Sequence, residues 1–326
     1  MKLLKLFALI LTFALILPSC TSAEKDKPTE KTKIRVGVIK GPSGMGMAKL
    51  MQEQEDGNTQ NDYTFTVCAT PTDINAKIIK GDLDIAAVPP NAAALLYNKN
   101  DGKVQIAAVS TLGILYVVEI GDTIKKLSDL NGKTIYASGK GAVPQYAFEY
   151  LLKNAGVTSD IIWKAEHTEV ATLISSGEKN LVLLPEPQVT AVLSANKNAR
   201  IALNLTEEWD KQQVYEKFPS SLIMGCVVVD TQFAAENRET VNKFLLEYKN
   251  SIEFAKANID ETAELIEKFE ILPSAQVAKK ALPNCALTYI DGTEMKDHMY
   301  DFLEVLYIAN KDSIGGKLPD DKFYFR

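Results

Sequence analysis

The sequence predicts an α/β protein built as two successive lobes. Three observations carry this. Short runs of β-branched and apolar residues alternate with stretches of helical apolar spacing. Nearly every strand-like run ends in glycine, proline, serine or threonine, the punctuation of a strand-to-helix turn. The alternation also runs twice, with a charged break, Leu127-Ser-Asp-Leu-Asn-Gly-Lys133, between the two series.

The first series opens with Ile34–Ile39, followed by Gly41-Pro42-Ser43-Gly44 and a helical stretch Met45–Glu55. Tyr63–Ala69 is a strand ending at Thr70-Pro71-Thr72. Asp73–Lys80 is a helix with Ile74, Ile78 and Ile79 on one face and Asp73 at its cap or first turn. Ile85–Val88 is a strand closed by Pro89-Pro90, and Asn91–Tyr97 is helical. Val104–Val109 and Leu115–Glu119 are further strands. In the second series Thr134–Ala137 leads through Gly139-Lys140-Gly141 into a helix Pro144–Ala155, which Gly156 stops. Ile161–Lys164 is a strand, Val170–Ser176 a helix, and Leu181–Leu184 a strand ending at Pro185-Glu186-Pro187. A helix Gln188–Ala195 and a strand Arg200–Leu205 complete it. Leu222–Val229 is a long apolar strand, and Thr231–Tyr307 is rich in helix. Strands joined through helices argue for mostly parallel sheets with helices on their faces.

The amino terminus has a different character. Met-Lys-Leu-Leu-Lys precedes an apolar run Leu6–Leu17 and then Pro18-Ser19-Cys20. A basic start, a short apolar core and a small residue before the cut form a secretory signal. The run is shorter than the roughly 20 apolar residues of a spanning helix. Leu17-Pro18-Ser19-Cys20 resembles a bacterial lipobox, with Pro18 departing from its usual small residue. That resemblance implies acylation of Cys20, cleavage before it, and a protein tethered outside the cytoplasm. Residues 21–32 are polar and charged and are expected to be a disordered tether.

The chain has 326 residues, a net charge of −6 and 46% hydrophobic residues. No basic block exists, which excludes nucleic acid as an expected partner. Beyond Cys20 there are Cys68, Cys226 and Cys285, and only His167 and His298. Without paired Cys/His spacing, no metal is expected. Cys68 and Cys226 lie in apolar strands and read as buried thiols, while a disulfide through Cys285 stays open.

Ile34-Arg-Val-Gly-Val-Ile39 with Gly41-Pro-Ser-Gly-Met45, then Gly81-Asp-Leu-Asp-Ile-Ala-Ala87, Leu127-Ser-Asp-Leu-Asn-Gly-Lys-Thr-Ile135 and Leu184-Pro-Glu-Pro187, together resemble a type II periplasmic binding protein. The similarity is to the substrate-binding proteins of ABC importers for sulfonates, nitrate, taurine and thiamine-pyrimidine precursors. It implies two α/β lobes, residues 33–118 plus 222–326 and residues 119–221. Crossing segments would lie near Val117–Gly121 and Ser220–Met224. It also implies a small-molecule ligand in a cleft that closes by hinge motion, an ABC permease and ATPase as partners, a monomer, no cofactor and no catalysis.

Ligands of open α/β sheets sit beyond the carboxyl ends of strands. Those ends nominate Gly41, Pro42, Ser43, Gly44 and Met45, then Thr70, Pro71 and Thr72, and then Pro89, Asn91, Ser110 and Thr111. The second series adds Ser138, Gly139, Lys140, Gly141 and Glu186. Glycines permit close backbone approach, and helix starts hold anions. The Gly139-Lys-Gly141 turn lacks P-loop spacing. Lys140 reads as a solvent-facing side chain ahead of a cleft charge. Glu186 reads as an acceptor for a ligand amino or amidine group, or as a structural cap. His167 reads as a structural or surface histidine ahead of a cleft residue, and Trp163 and Trp209 as core packing ahead of stacking on a ligand. Arg35 and Arg200 lie within or at the start of strands, so no arginine clamp is expected. An organic anion is slightly favoured over a heteroaromatic ligand.

Overall fold

The structure, a computed structural model, describes residues 31–213 and 220–326. The signal segment with Cys20, and the tether up to residue 30, lie outside the described residues. The chain separates into Met1–Lys31 and Thr32–Arg326, and the second unit carries both series.

The first series forms β1 (Lys33–Ile39), α1 (Pro42–Met45), α2 (Ala48–Glu55), β2 (Asp62–Cys68), α3 (Pro71–Lys80), β3 (Ile85–Val88), α4 (Pro90–Lys99) and β4 (Val104–Leu112). The second forms β5 (Leu115–Ile120), β6 (Thr134–Ser138), α5 (Val143–Asn154), β7 (Asp160–Lys164), α6 (His167–Ser175), β8 (Leu181–Pro185), α7 (Gln188–Ala195), β9 (Ala199–Asn204) and α8 (Leu205–Gln213). The return is β10 (Ile223–Asp230), α9 (Thr231–Glu236), α10 (Arg238–Ala257), α11 (Ile259–Lys268), α12 (Ala275–Ala281), β11 (Leu287–Ile290) and α13 (Gly292–Ala309).

Two mixed sheets result, ordered β11-β4-β10-β3-β1-β2 and β7-β6-β8-β5-β9. The expected parallel character holds for β1 with β2 and β3, and for β6 with β7 and β8. β10 and β5 run antiparallel to their neighbours. They are the first strands after the chain changes sheet, so they enter from the opposite end. Because β5 pairs wholly within the second sheet, the first crossing is Gly113-Ile114, ahead of the expected Val117–Gly121. β11, unanticipated inside the helical return, extends the first sheet beside β4.

Helix starts differ from expectation for local reasons. The helix expected over Met45–Glu55 is two pieces, because the turn at Gly46-Met47 interrupts it. The α3 cap is Thr70, whose hydroxyl accepts the Asp73 N–H at 3.2 Å, and Asp73 occupies the first turn. Proline sits in the first turn of α1, α3, α4 and α5, where its missing N–H breaks no helical bond.

The Arg35 guanidinium grips Asp84 through Nε (3.0 Å) and Nη2 (2.5 Å), tying β1 to the start of β3. Arg200 on β9 bonds the buried Glu119 carboxylate on β5 at 2.6 Å. Both arginines therefore tie neighbouring strands together. Cys68, Cys226 and Cys285 are buried free thiols, and Cys285 packs on Met45, their sulfurs 3.8 Å apart. Trp209 lies between Tyr150 of α5 and Phe302 of α13, at centroid distances of 5.0 and 5.7 Å. Its indole N–H donates to the Ser220 carbonyl. Trp209 is thus core, and α13 packs against elements of both sheets.

Candidate functional site

The carboxyl ends of β1, β2, β3, β6, β7 and β8 open on one cavity of about 1600 Å³. It is walled by both series and by Met224 and Gly225 of β10. Of the residues expected there, Gly41, Pro42, Ser43, Thr70, Pro71, Thr72, Pro89, Asn91, Thr111, Gly139, Lys140, Gly141 and Glu186 stand on the wall.

Gly44, Met45, Ser110 and Ser138 do not. The α1 turn carries Gly44 and Met45 inward, and Met45 is fully buried against Cys285. β4 continues to Leu112, so Ser110 lies inside the strand. Its hydroxyl is 2.9 Å from that of Ser43, and Ser43 Oγ is also 3.2 Å from Thr111 Oγ1. Ser110 therefore backs the wall residue Ser43 from behind. Ser138 is buried, its hydroxyl 2.6 Å from Nδ1 of His167. His167 itself lines the cleft at the start of α6, and burial pushes its imidazole down to about 4, so the ring is neutral near pH 7.

Close approach is built in at two glycines. A Cβ on Gly225 would lie 2.3 Å from Ser43 Oγ and 3.0 Å from Thr111 Oγ1, so this glycine leaves the hydroxyl cluster room. Gly139 has φ +87° and its Cβ would strike Pro144, which fixes the turn into α5.

Glu186 is the strongest electrostatic feature. It is 2% exposed, and it follows β8 directly, just before a cis Glu186–Pro187 peptide. Its Oε2 accepts the Thr190 N–H and its Oε1 the Thr190 hydroxyl, both at 3.0 Å. Burial raises its pKa, and the Thr190 hydrogen bonds offset part of that rise. No cation pairs with it among the described residues. Asn91 joins the two series by donating Nδ2–H to the Gly141 carbonyl at 3.1 Å, while its Oδ1 is buried without a partner. Asn75, also on the wall, has the same orphan Oδ1. Two acceptors thus lack donors, and Glu186 lacks a cation among the described residues. The ionisable lysines and glutamates on the wall are Lys40, Lys140 and Lys164 against Glu166, Glu186, Glu267 and Glu270, three positive to four negative. Lys164 is already paired with Glu169 at 2.9 Å.

Sequence reasoning missed the wall formed by Glu267–Val277, between α11 and α12, because the helical return carries no strand-end signature. Gly225 had a readable signal, a glycine inside an otherwise apolar strand. Trp163 is half-buried on β7 and is not on the cleft wall.

Residues 53–280 match the family of ABC-transporter, phosphonate, periplasmic substrate-binding proteins. A structure of an ABC transporter protein from Parabacteroides distasonis is similar at 25% identity and TM-score 0.75, covering 91% of this chain and 99% of that one. The aliphatic sulphonate binding protein of Escherichia coli superposes at TM-score 0.71, with 15% identity over 91% of this chain and 93% of that one. A binding protein of Brucella abortus is 22% identical over 287 residues, 86% of this chain and 82% of its own. The fold, the interlobe cleft and the match over more than two thirds of the length agree: this chain belongs to the phosphonate-type family of periplasmic substrate-binding proteins of ABC transporters, which bind and deliver rather than catalyse.

Proposed function

We propose that the cleft captures a small organic acid, a sulfonate or phosphonate, that also carries an amino group. The observation behind this is Glu186, a buried carboxylate on the cleft wall whose partners among the described residues are the neutral donors of Thr190. Leaving such a charge unpaired is costly, and a ligand ammonium would relieve it. The orphan Oδ1 atoms of Asn91 and Asn75 ask for donors too. The acid group would be met by the Ser43 and Thr111 hydroxyls and by the N–H groups at the starts of α4, α5 and α7. A plain dianion suits a wall of three lysines and four glutamates poorly.

The supporting relatives point the same way on the acid. The family is that of phosphonate substrate-binding proteins, and proteins of this fold include the sulphonate binding protein of Escherichia coli and a nitrate-binding protein of Synechocystis, the latter at TM-score 0.57 and 12% identity over 90% of this chain and 91% of that one. The cavity of about 1600 Å³ exceeds the ordinary range of roughly 300–1,000 Å³ for ligand sites, which suits a cleft that closes on its ligand. In this reading the receptor is a monomer held to the membrane through lipid on Cys20, and Cys20→Ala releases it into the soluble fraction. The lobes are the segments that contribute to each sheet.

The test is calorimetric titration with matched pairs: taurine against ethanesulfonate, and 2-aminoethylphosphonate against ethylphosphonate, with an aminopyrimidine beside them. Binding of the amino member of a pair at least tenfold tighter than its des-amino partner supports the proposal. Equal binding within pairs contradicts it, and binding of the aminopyrimidine alone replaces the acid with a heteroaromatic ligand.

A further inference from the structure

The chain passes between its two sheets at places that meet on one helix. β4 ends at Leu112 in the first sheet and β5 begins at Leu115 in the second, so the first passage is Gly113-Ile114 alone. The return runs from α8 through Ser220 to β10. Leu112 pairs with Ile223, so the two passages leave the first sheet side by side. Helix α8 packs on β5, β9 and α5 and touches both of them. It grips Ser220 with three hydrogen bonds. The Trp209 indole N–H donates to the Ser220 carbonyl at 2.9 Å, and Gln213 Oε1 accepts the Ser220 N–H and hydroxyl at 3.0 Å. Gly113 it meets through the side chain of Thr206.

That meeting is close. A Cβ on residue 113 would overlap Thr206 Oγ1 and lie 3.0 Å from its Cβ and 3.1 Å from its Cγ2. No larger residue fits while the passage sits on α8. The Thr206 hydroxyl is buried and has no hydrogen-bond partner among the described residues. Its backbone is held in place, because the Thr206 N–H donates to Asn204 Oδ1 at 3.0 Å. A buried, unpaired hydroxyl disfavours this arrangement relative to one that pairs it. The passage is also tied to the ligand wall. Ile114 lines the cleft, and its carbonyl accepts the Glu186 N–H at 2.9 Å. A movement of Glu186 towards a ligand therefore pulls on the residue next to Gly113.

We propose that Gly113, seated without a side chain against Thr206, is the pivot that sets the angle between the two sheets, and that a ligand held at Glu186 turns it through Ile114. The trigger rests on the proposed capture of an aminated acid, and the pivot does not. Ser220, held by three bonds, stays with α8 and is the fixed side of the turn. Gly113 is the side that moves, because packing alone seats it. The unpaired Thr206 hydroxyl keeps the resting angle shallow in free energy, so a ligand that prefers the other angle shifts the balance with few contacts.

The test measures the distance between spin labels at Ile79→Cys on α3 and Lys197→Cys after α7, both exposed and off the cleft wall. The full chain carries Cys20→Ala, and its three other native thiols are buried. Without ligand, Gly113→Ala should move the mean distance by more than about 2 Å. Adding Thr206→Ala, which removes the overlapping Oγ1 and the nearby Cγ2, should bring it back. Thr206→Val keeps the shape and deletes the unpaired hydroxyl, so the unliganded melting point should rise by about 2 °C or more. An unchanged distance in Gly113→Ala, or a Thr206→Val protein that melts lower, overturns the pivot; the second variant decides it where the first does not fold. Taurine and 2-aminoethylphosphonate then probe the trigger: each should shorten the distance in the parent chain and leave it unmoved in Gly113→Ala. A parent distance indifferent to both probes overturns the trigger, while the ligand-free shifts still support the pivot.

Discussion

Replacing Glu186 by Gln removes one charge and little else. Gln keeps the shape, its carbonyl accepts the Thr190 N–H, and its amide donates to the Thr190 hydroxyl, so both 3.0 Å contacts survive with one reversed. The carboxylate is 2% exposed and its pKa is raised chiefly by burial. A folded pKa above the unfolded value of about 4.3 stabilises the fold below that pH, and this contribution is lost as pH rises through the folded value. The unliganded Glu186→Gln protein is therefore expected to be more stable at pH 7, with a flatter pH profile above about pH 4. Ligand binding should move the other way. Removing one member of a buried charged pair costs about 2–5 kcal/mol, or roughly 30- to several-thousand-fold in Kd. Thermal melts between pH 4 and 8, and calorimetry with the aminated ligand, read both effects. Lower stability at neutral pH together with unchanged affinity would refute the reasoning, because it would make Glu186 a structural cap.

Gly225→Ala would push its Cβ against the Ser43 and Thr111 hydroxyls; affinity should fall about tenfold, with a stability loss of about 1 kcal/mol by melting. Asn91→Ala removes the bond to Gly141 that joins the two lobes; a loss of about 0.5–1.5 kcal/mol of closure is expected, seen as weaker binding in calorimetry and a larger ligand-bound radius of gyration in scattering. Arg200→Met strips the buried Glu119 of its cation. Burial raises the Glu119 pKa, but the hydrogen bonds from Thr123 and Ile124 and the Arg200 charge outweigh it, and the net direction is down. The stability Glu119 contributes is therefore present above pH of about 4.3 and lost as pH falls through its folded value. The variant should lose about 1–3 kcal/mol at pH 7 and unfold at a higher pH on acidification. In a Cys20→Ala chain, thiol reagents should label Cys68, Cys226 and Cys285 only in denaturant, and reductant should leave the melting point unchanged.

Most strands and the cleft's strand-end turns were legible because they depend on local chemistry. Proline and glycine after an apolar run mark where a strand ends, and β1, β3, β6 and β8 are marked in that way. Side-chain direction was not legible. Whether Gly44, Met45, Ser110 and Ser138 face the cleft depends on the α1 turn and on how far β4 runs, which neighbouring strands decide. The same holds for β11, a four-residue strand that exists because β4 offers it an edge. The partners of Glu186 were also out of reach of the sequence. Its position between two prolines was visible, but only the packed structure leaves it with Thr190 and no cation.

The most direct test of the central claim is a crystal structure of the full receptor with the tightest-binding aminated acid. The account predicts the ligand between the two sheets, its ammonium within about 3 Å of a Glu186 oxygen and its acid group against Ser43 and Thr111. A ligand seated elsewhere, or one in the cleft with Glu186 bonded only to Thr190, would contradict it.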